Sequence, residues 1–142
     1  MVALLDVNVL VALAWPTHVH HAGARRWFAD HAADGWVTCS ITESGFVRVS
    51  ANEQAVGSAV SPGEAVEMLR RLQRIGDHDF LIDDVSLVHD GVVPIDRVQG
   101  HRQITDAHLV NLATRNGYQL VTLDRRIEAL ADETATIHTI DV

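Results

Sequence analysis

Apolar residues along this chain gather into short continuous runs, separated by stretches in which they recur every three or four positions. Val2–Leu5 is one such run, closed by Asp6, and it predicts a buried strand. A helical turn through Val9–Leu13 follows and stops at Pro16. The segment His21–Ala33 sets Ala24, Trp27, Phe28 and Ala32 on one helix face, and Trp36–Cys39 predicts a second strand. Ser40, with Glu43 three positions on, has capping-box spacing ahead of a helix that carries Phe46, Val47 and Val49. Ser61-Pro62 predicts another helix start, running through Met68, Leu69 and Leu72 to Gly76.

Phe80–Ile82 predicts a weak strand, and Val85–Val98 a helix that gives way to loop around Pro94. Thr105 is placed to cap a helix that ends at Asn116-Gly117. Tyr118–Leu123 predicts a strand ending at Asp124; a short helix with Ile127 and Leu130 and a last strand, Thr136–Ile140, follow. Short apolar strands alternating with helices predict the α/β class: three layers, α/β/α, around a mainly parallel sheet of about five strands. No repeat or linker divides the chain, so residues 1–142 are expected to form one domain.

Composition narrows the chemistry. The 142 residues hold 19 acids against 11 basic residues, for a formal net charge of −8, and all the basic residues are arginine. Without lysine, Schiff-base catalysis, the P-loop and lysine-dependent phosphatases or receivers are excluded. At first sight the negative balance also argues against a nucleic-acid partner. The single Cys39 forms no internal disulfide and reads as a small buried hydrophobe rather than a nucleophile. The apolar start is interrupted by Asp6 and Asn8 and lacks a basic segment, so no leader or membrane span is expected and the protein is placed in the cytoplasm.

The carboxylates carry the strongest chemical signal. Two predicted strands end in aspartate, Asp6 and Asp124, and ligands of open parallel sheets sit beyond the carboxyl ends of the strands. Glu43 and Asp106 fall early in predicted helices, so four carboxylates from distant parts of the chain can meet at one rim. Such a group repels itself unless a cation occupies it, and an all-oxygen ligand set selects Mg²⁺ or Mn²⁺ over zinc. Each residue also has a plainer role: Asp6 and Asp124 as caps, Asp106 as a helix-dipole partner, Glu43 in its capping box. Spacing alone leaves both readings open.

Four segments resemble a known family. Asp6-Val7-Asn8-Val9-Leu10, Ile41-Thr42-Glu43, Ile104-Thr105-Asp106-Ala107 and Val121-Thr122-Leu123-Asp124 look like the ordered acidic motifs of PIN-domain ribonucleases. The resemblance is closest to VapC-type toxins of type II toxin–antitoxin pairs, and His18/His21 through Arg25-Arg26-Trp27-Phe28 and Gly100–Asp106 also resemble that subgroup. It implies a Mg²⁺- or Mn²⁺-dependent endoribonuclease, with Asp6, Glu43, Asp106 and Asp124 as metal ligands holding one or two ions. Asn8 and Thr122 would orient ligands or phosphate. It also implies a homodimer, an RNA substrate and a cognate VapB-type antitoxin laid along an apolar groove, for which Trp15, Trp27, Phe28 and Phe46 are candidates. Many such domains carry a second acid two residues after the last motif aspartate; here that residue is Arg126.

Arginine suits phosphate recognition, and Arg102 with His101, just ahead of Asp106, are candidate RNA contacts. Arg70, Arg71 and Arg74 share a helix in which Glu67 is spaced to pair with Arg71. The His18-Val19-His20-His21 cluster lacks the further ligands of a zinc site, so helix entry or packing is expected of it, and His108 has no assigned role. Two rivals stand beside the nuclease. A haloacid-dehalogenase-type hydrolase needs a second aspartate where Asn8 stands and a lysine. A non-catalytic metal- or nucleotide-binding module is weakened, in its nucleotide form, by the absence of G-x-G-x-x-G after the first strand.

Overall fold

A computed structural model describes residues 1–142. Its core is a five-stranded parallel sheet built from β1 (Ala3–Leu5), β2 (Trp36–Thr38), β3 (His78–Phe80), β4 (Gln119–Thr122) and β5 (Thr136–Thr139), in the order β3-β2-β1-β4-β5. Strand residues alternate between two apolar layers. Leu5, Trp36 and Val121 face one cluster with Leu10, Phe28, Phe46 and Leu69, while Leu4, Val37 and Leu120 face another with Leu109, Leu112, Ile127 and Leu130. The first layer is made by α1 (Val7–Ala14), α2 (His21–His31), α3 (Ser40–Ser50) and α5 (Pro62–Leu72). The second is made by α6 (Ile104–Arg115) and the 3₁₀ helix Arg125–Leu130, which completes the three-layer architecture. No helix is long and apolar enough to cross a membrane.

Strand order reverses at β1. The chain builds outward through β2 and β3 on one side, then returns to add β4 and β5 on the other. This leaves a crevice beyond the carboxyl ends of β1 and β4, the usual ligand position in such sheets. Leu5 pairs with Val121, so the residues that follow them, Asp6 and Thr122, come out side by side.

Several local expectations shift. The N-cap of α3 is Cys39, not Ser40, and the Thr42 hydroxyl accepts the Cys39 N–H at 2.9 Å. The capping box is thus one residue upstream of the expected Ser40–Glu43 pair, and Glu43 is free for other partners. Thr105 lies inside α6, whose N-cap is Gln103. A short helix, α4 (Glu53–Val56), was not expected.

The expected helix from Val85 is absent; that stretch is irregular, with one 3₁₀ turn at Ile95–Arg97. Side chains there take the backbone N–H groups a helix would use: Asp83 binds Val85, Asp90 binds Ser86, and the Ser86 hydroxyl binds Val88 and His89. Asn111 of α6 accepts the N–H groups of Val92 and Val93, both at 2.9 Å, and so pins the segment to the second layer.

Trp36 shows how tightly the first layer is set. Its indole N–H donates to the Ile75 carbonyl at 2.9 Å, and its ring meets Phe28 edge-on at 5.1 Å. Gly76, the next residue, has φ +68°, and an added Cβ would lie 2.5 Å from the Ala32 carbonyl oxygen. Gly76→Ala is therefore expected to destabilise the fold by roughly 2–3 kcal/mol. Urea unfolding should show a lower midpoint at unchanged slope; a midpoint equal to wild type would mean the turn relaxes freely.

Candidate active site at the carboxyl edge of the sheet

Asp6 caps α1, its Oδ1 accepting the Val7 N–H at 2.7 Å, while its Oδ2 accepts the Thr122 hydroxyl at 2.8 Å. The same Thr122 oxygen accepts the Asn8 amide at 3.2 Å and the Asp124 N–H at 3.1 Å. Asn8 Oδ1 in turn accepts the Leu123 N–H at 3.1 Å. Asn8 and Thr122 thus join the ends of β1 and β4 and set the directions in which Asp6 and Asp124 leave the sheet. The amide is needed here because it donates and accepts at once, which an aspartate at position 8 cannot do while ionised.

Asp6, Asp106 and Asp124 line one cavity of about 340 Å³, together with Asn8 and His18 and an apolar wall that includes Val7, Val11 and Val49. Asp106 reaches it from the first turn of α6. Burial raises the Asp6 pKa, which Thr122 and Val7 only partly offset and the Asp124 charge adds to. Asp106 is raised to about 6 by burial first and then by the charges of Asp6 and Asp124, against a smaller opposing pull from Arg126. Asp124 is lowered, because Arg126 hydrogen-bonds to it. A short-range excess of carboxylate charge is therefore present with one internal cation beside it. As they stand, no three of these groups are gathered closely enough to enclose an ion; both oxygens of Asp124 are taken by Arg126. The donor set itself, three carboxylates and neighbouring neutral oxygens, suits a hard divalent cation.

Glu43 departs from the expected four-carboxylate cluster. It lies in the first turn of α3, at the same sheet edge but one strand away, and lines a separate cavity of about 280 Å³ with Ser44, Val47, Leu69, Arg70 and Gln73. Its Oε2 accepts the Thr38 hydroxyl at 2.7 Å and the Gln73 amide at 2.9 Å. Since Thr38 has one hydroxyl hydrogen, the His78 Nε2 at 2.9 Å acts as donor to it. The physical reason is the shifted capping box, which releases the Glu43 side chain toward β2 and α5.

The other candidates separate cleanly. His101 and Arg102 are exposed on the turn preceding α6 and do not line the cavity. Glu67 pairs with Arg70 rather than Arg71. Arg97 donates to the Ala131 carbonyl, and His108 pairs with Asp83 at 2.6 Å in a largely buried contact. Trp27, Phe28 and Phe46 are core residues, so they supply no open groove, and Trp15 is half-buried with its N–H on Ser50. Cys39 is fully buried.

His18 is the cavity residue the motif reading missed. Its Nδ1 accepts the His20 N–H at 3.0 Å, which leaves the hydrogen on Nε2, and burial lowers its pKa. His21 instead donates Nδ1–H to the Ala12 carbonyl and ties α2 to α1. The available signal was position: the histidines fall in the turn that follows α1, the helix capped by Asp6.

Comparison with known proteins gives consistent findings. The PIN domain family model matches residues 3–133. Ribonuclease VapC38 of Mycobacterium tuberculosis is 53% identical over 131 residues, covering 92% of this chain and 91% of that protein. Ribonuclease VapC39 of the same species is 47% identical, covering 93% of each. Among solved structures, VapBC2 from Rickettsia felis, bound to a DNA fragment from their promoter, superposes with a TM-score of 0.68 at 13% identity, covering 99% of this chain and 100% of that one. PAE2754 from Pyrobaculum aerophilum superposes at 0.61 with 22% identity, covering 95% and 82%.

Asp106 keeps its proton up to about pH 6 in the fold but releases it near the ordinary aspartate value of 3.8 when unfolded. The native state therefore binds more protons in that window, and ion-free stability falls as pH rises through it. Asp106→Asn is expected to raise the Tm of chelator-treated protein at about pH 7.5 and to change it little at about pH 4. Calorimetry at both values checks this, and an equal shift at both would contradict the electrostatic cause.

Proposed function

The chain belongs to the PIN-domain family, in its VapC branch, and we propose that it is the endoribonuclease toxin of a type II toxin–antitoxin pair. The observation that supports this most directly is the meeting of Asp6, Asp106 and Asp124 at one cavity where strand order reverses. The ribonuclease relatives align with it over nearly their whole length.

In this reading Asp6, Asp106 and Asp124 hold one or two Mg²⁺ or Mn²⁺ ions, directly or through water. A divalent ion so bound supplies an activated water and polarises the phosphoryl oxygen of an RNA phosphodiester. The chain's own residues do the rest. Thr122 keeps the Asp6 carboxylate oriented by its hydroxyl, and Asn8 holds the β4 end so that Asp124 stays beside it. Val7, Val11 and Val49 wall the cavity and limit water there. His18 presents an Nε2–H as a neutral donor for a phosphate oxygen. His101 and Arg102, exposed before α6, contact RNA farther from the reacting bond. Glu43 keeps the adjoining β2–α5 junction in register and lies outside the ion's ligands in this arrangement. A VapB-type antitoxin and a second copy of this chain complete the assembly.

Purified protein is expected to cleave single-stranded RNA with Mn²⁺ and to leave new 5′-phosphate ends, with no cleavage under chelator. Asp6→Asn should abolish this while the far-ultraviolet spectrum is kept; full activity in that variant would refute the assignment. Thr122→Val preserves shape but removes the hydroxyl, and is expected to cost about 10–100-fold in activity. Co-expression with the product of an adjacent short reading frame should yield a stable complex in which cleavage is suppressed.

A further inference from the structure

Arg126 follows the cavity acid Asp124 by two residues, and its contacts with it are specific. Its Nε lies 3.0 Å from Asp124 Oδ1 and an Nη lies 2.9 Å from Oδ2, so the guanidinium covers both carboxylate oxygens. The Arg126 backbone N–H binds the same Oδ1 at 2.9 Å. The Arg126 side chain is 82% exposed, against 24% for Asp124. Other paired arginines are engaged away from the carboxylate cavity: Arg70 with Glu67, Arg115 with Asp90, and Arg125 with Asp141. Arg126 alone pairs with an acid that lines it.

With its side chain 82% exposed, Arg126 remains in contact with water, and ion pairs in water are modest in strength and screened by salt. A divalent cation that takes Asp124 has to displace the guanidinium, and the displaced group stays tethered two residues away. There it offers planar paired donors, the geometry that suits a phosphate. We propose that Arg126 occupies Asp124 until a divalent cation displaces it, and then serves as the phosphate-binding arginine of the site. The inference rests on the metal-dependent ribonuclease reading above. It gives one side chain two successive partners, the Asp124 carboxylate and then the substrate phosphate.

Mn²⁺ titration calorimetry on wild type, Arg126→Gln and Arg125→Gln tests the first half. Arg126→Gln should bind Mn²⁺ roughly threefold to tenfold more tightly than wild type, while Arg125→Gln, which removes equal charge outside the cavity, should change little. Anisotropy of a labelled single-stranded RNA oligonucleotide, with Ca²⁺ in place of Mn²⁺ to hold back cleavage, tests the second. Arg126→Gln should weaken RNA binding at least about threefold despite its tighter cation. Unchanged or weaker Mn²⁺ binding in Arg126→Gln, an equal gain in Arg125→Gln, or unchanged RNA affinity overturns the inference and leaves the ribonuclease reading standing. Wild type without measurable Mn²⁺ affinity overturns both.

Discussion

The hydrogen bond from the Thr122 hydroxyl to the Asp6 carboxylate holds together the two strand ends on which the cavity depends. β1 and β4 are neighbours in space but lie at opposite ends of the chain, and only at their carboxyl ends does the crevice open. Thr122 is fully buried, so its hydroxyl has no water to fall back on, and its three hydrogen bonds, to Asp6, Asn8 and Asp124, are the stable arrangement. Remove that clasp and Asp6 becomes an ordinary helix cap, while Asp124 loses the backbone tie that aims it inward. The apolar layers on both faces supply the rigidity, because each strand is too short to hold its own direction.

Gathering acids at this edge runs against electrostatics, and the chain meets the repulsion in two ways. Asp106 retains a proton to about pH 6, and Asp124 takes a guanidinium. Each lowers the negative charge that the carboxylates bring to the cavity. The overall charge of −8 then looks different from how it looked in the composition. Part of it is concentrated where Asp6, Asp106 and Asp124 line one cavity, so it is not spread evenly over the surface. All the basic side chains of the chain are arginines, since lysine is missing.

The places where pattern reading slipped share a cause. At α3, the Ser40–Glu43 spacing matched a capping box, but Cys39 and Thr42 form it instead, because buried Thr42 is closer to the strand end. That one-residue shift turns Glu43 toward Thr38 and Gln73. Between Val85 and Val98, apolar content suggested a helix, yet Asp83, Ser86 and Asp90 bind nearby N–H groups, and Asn111 binds two more from α6. Both outcomes turn on single side-chain hydrogen bonds of about the same strength as their alternatives, so periodicity does not rank them.

The sequence by itself determined the α/β class, the parallel sheet and the acids that follow β1 and β4, because strands buried on both faces write continuous apolar runs and the polar residues that follow mark their ends. It also marked Asp6, Glu43, Asp106 and Asp124 through their motif resemblance. Only the tertiary structure decided which carboxylates share a cavity, that Glu43 faces another, and that His18 joins the site. It alone put Arg126 across both oxygens of Asp124. Those facts depend on side-chain direction and on neighbours far apart in the chain, and local pattern carries neither.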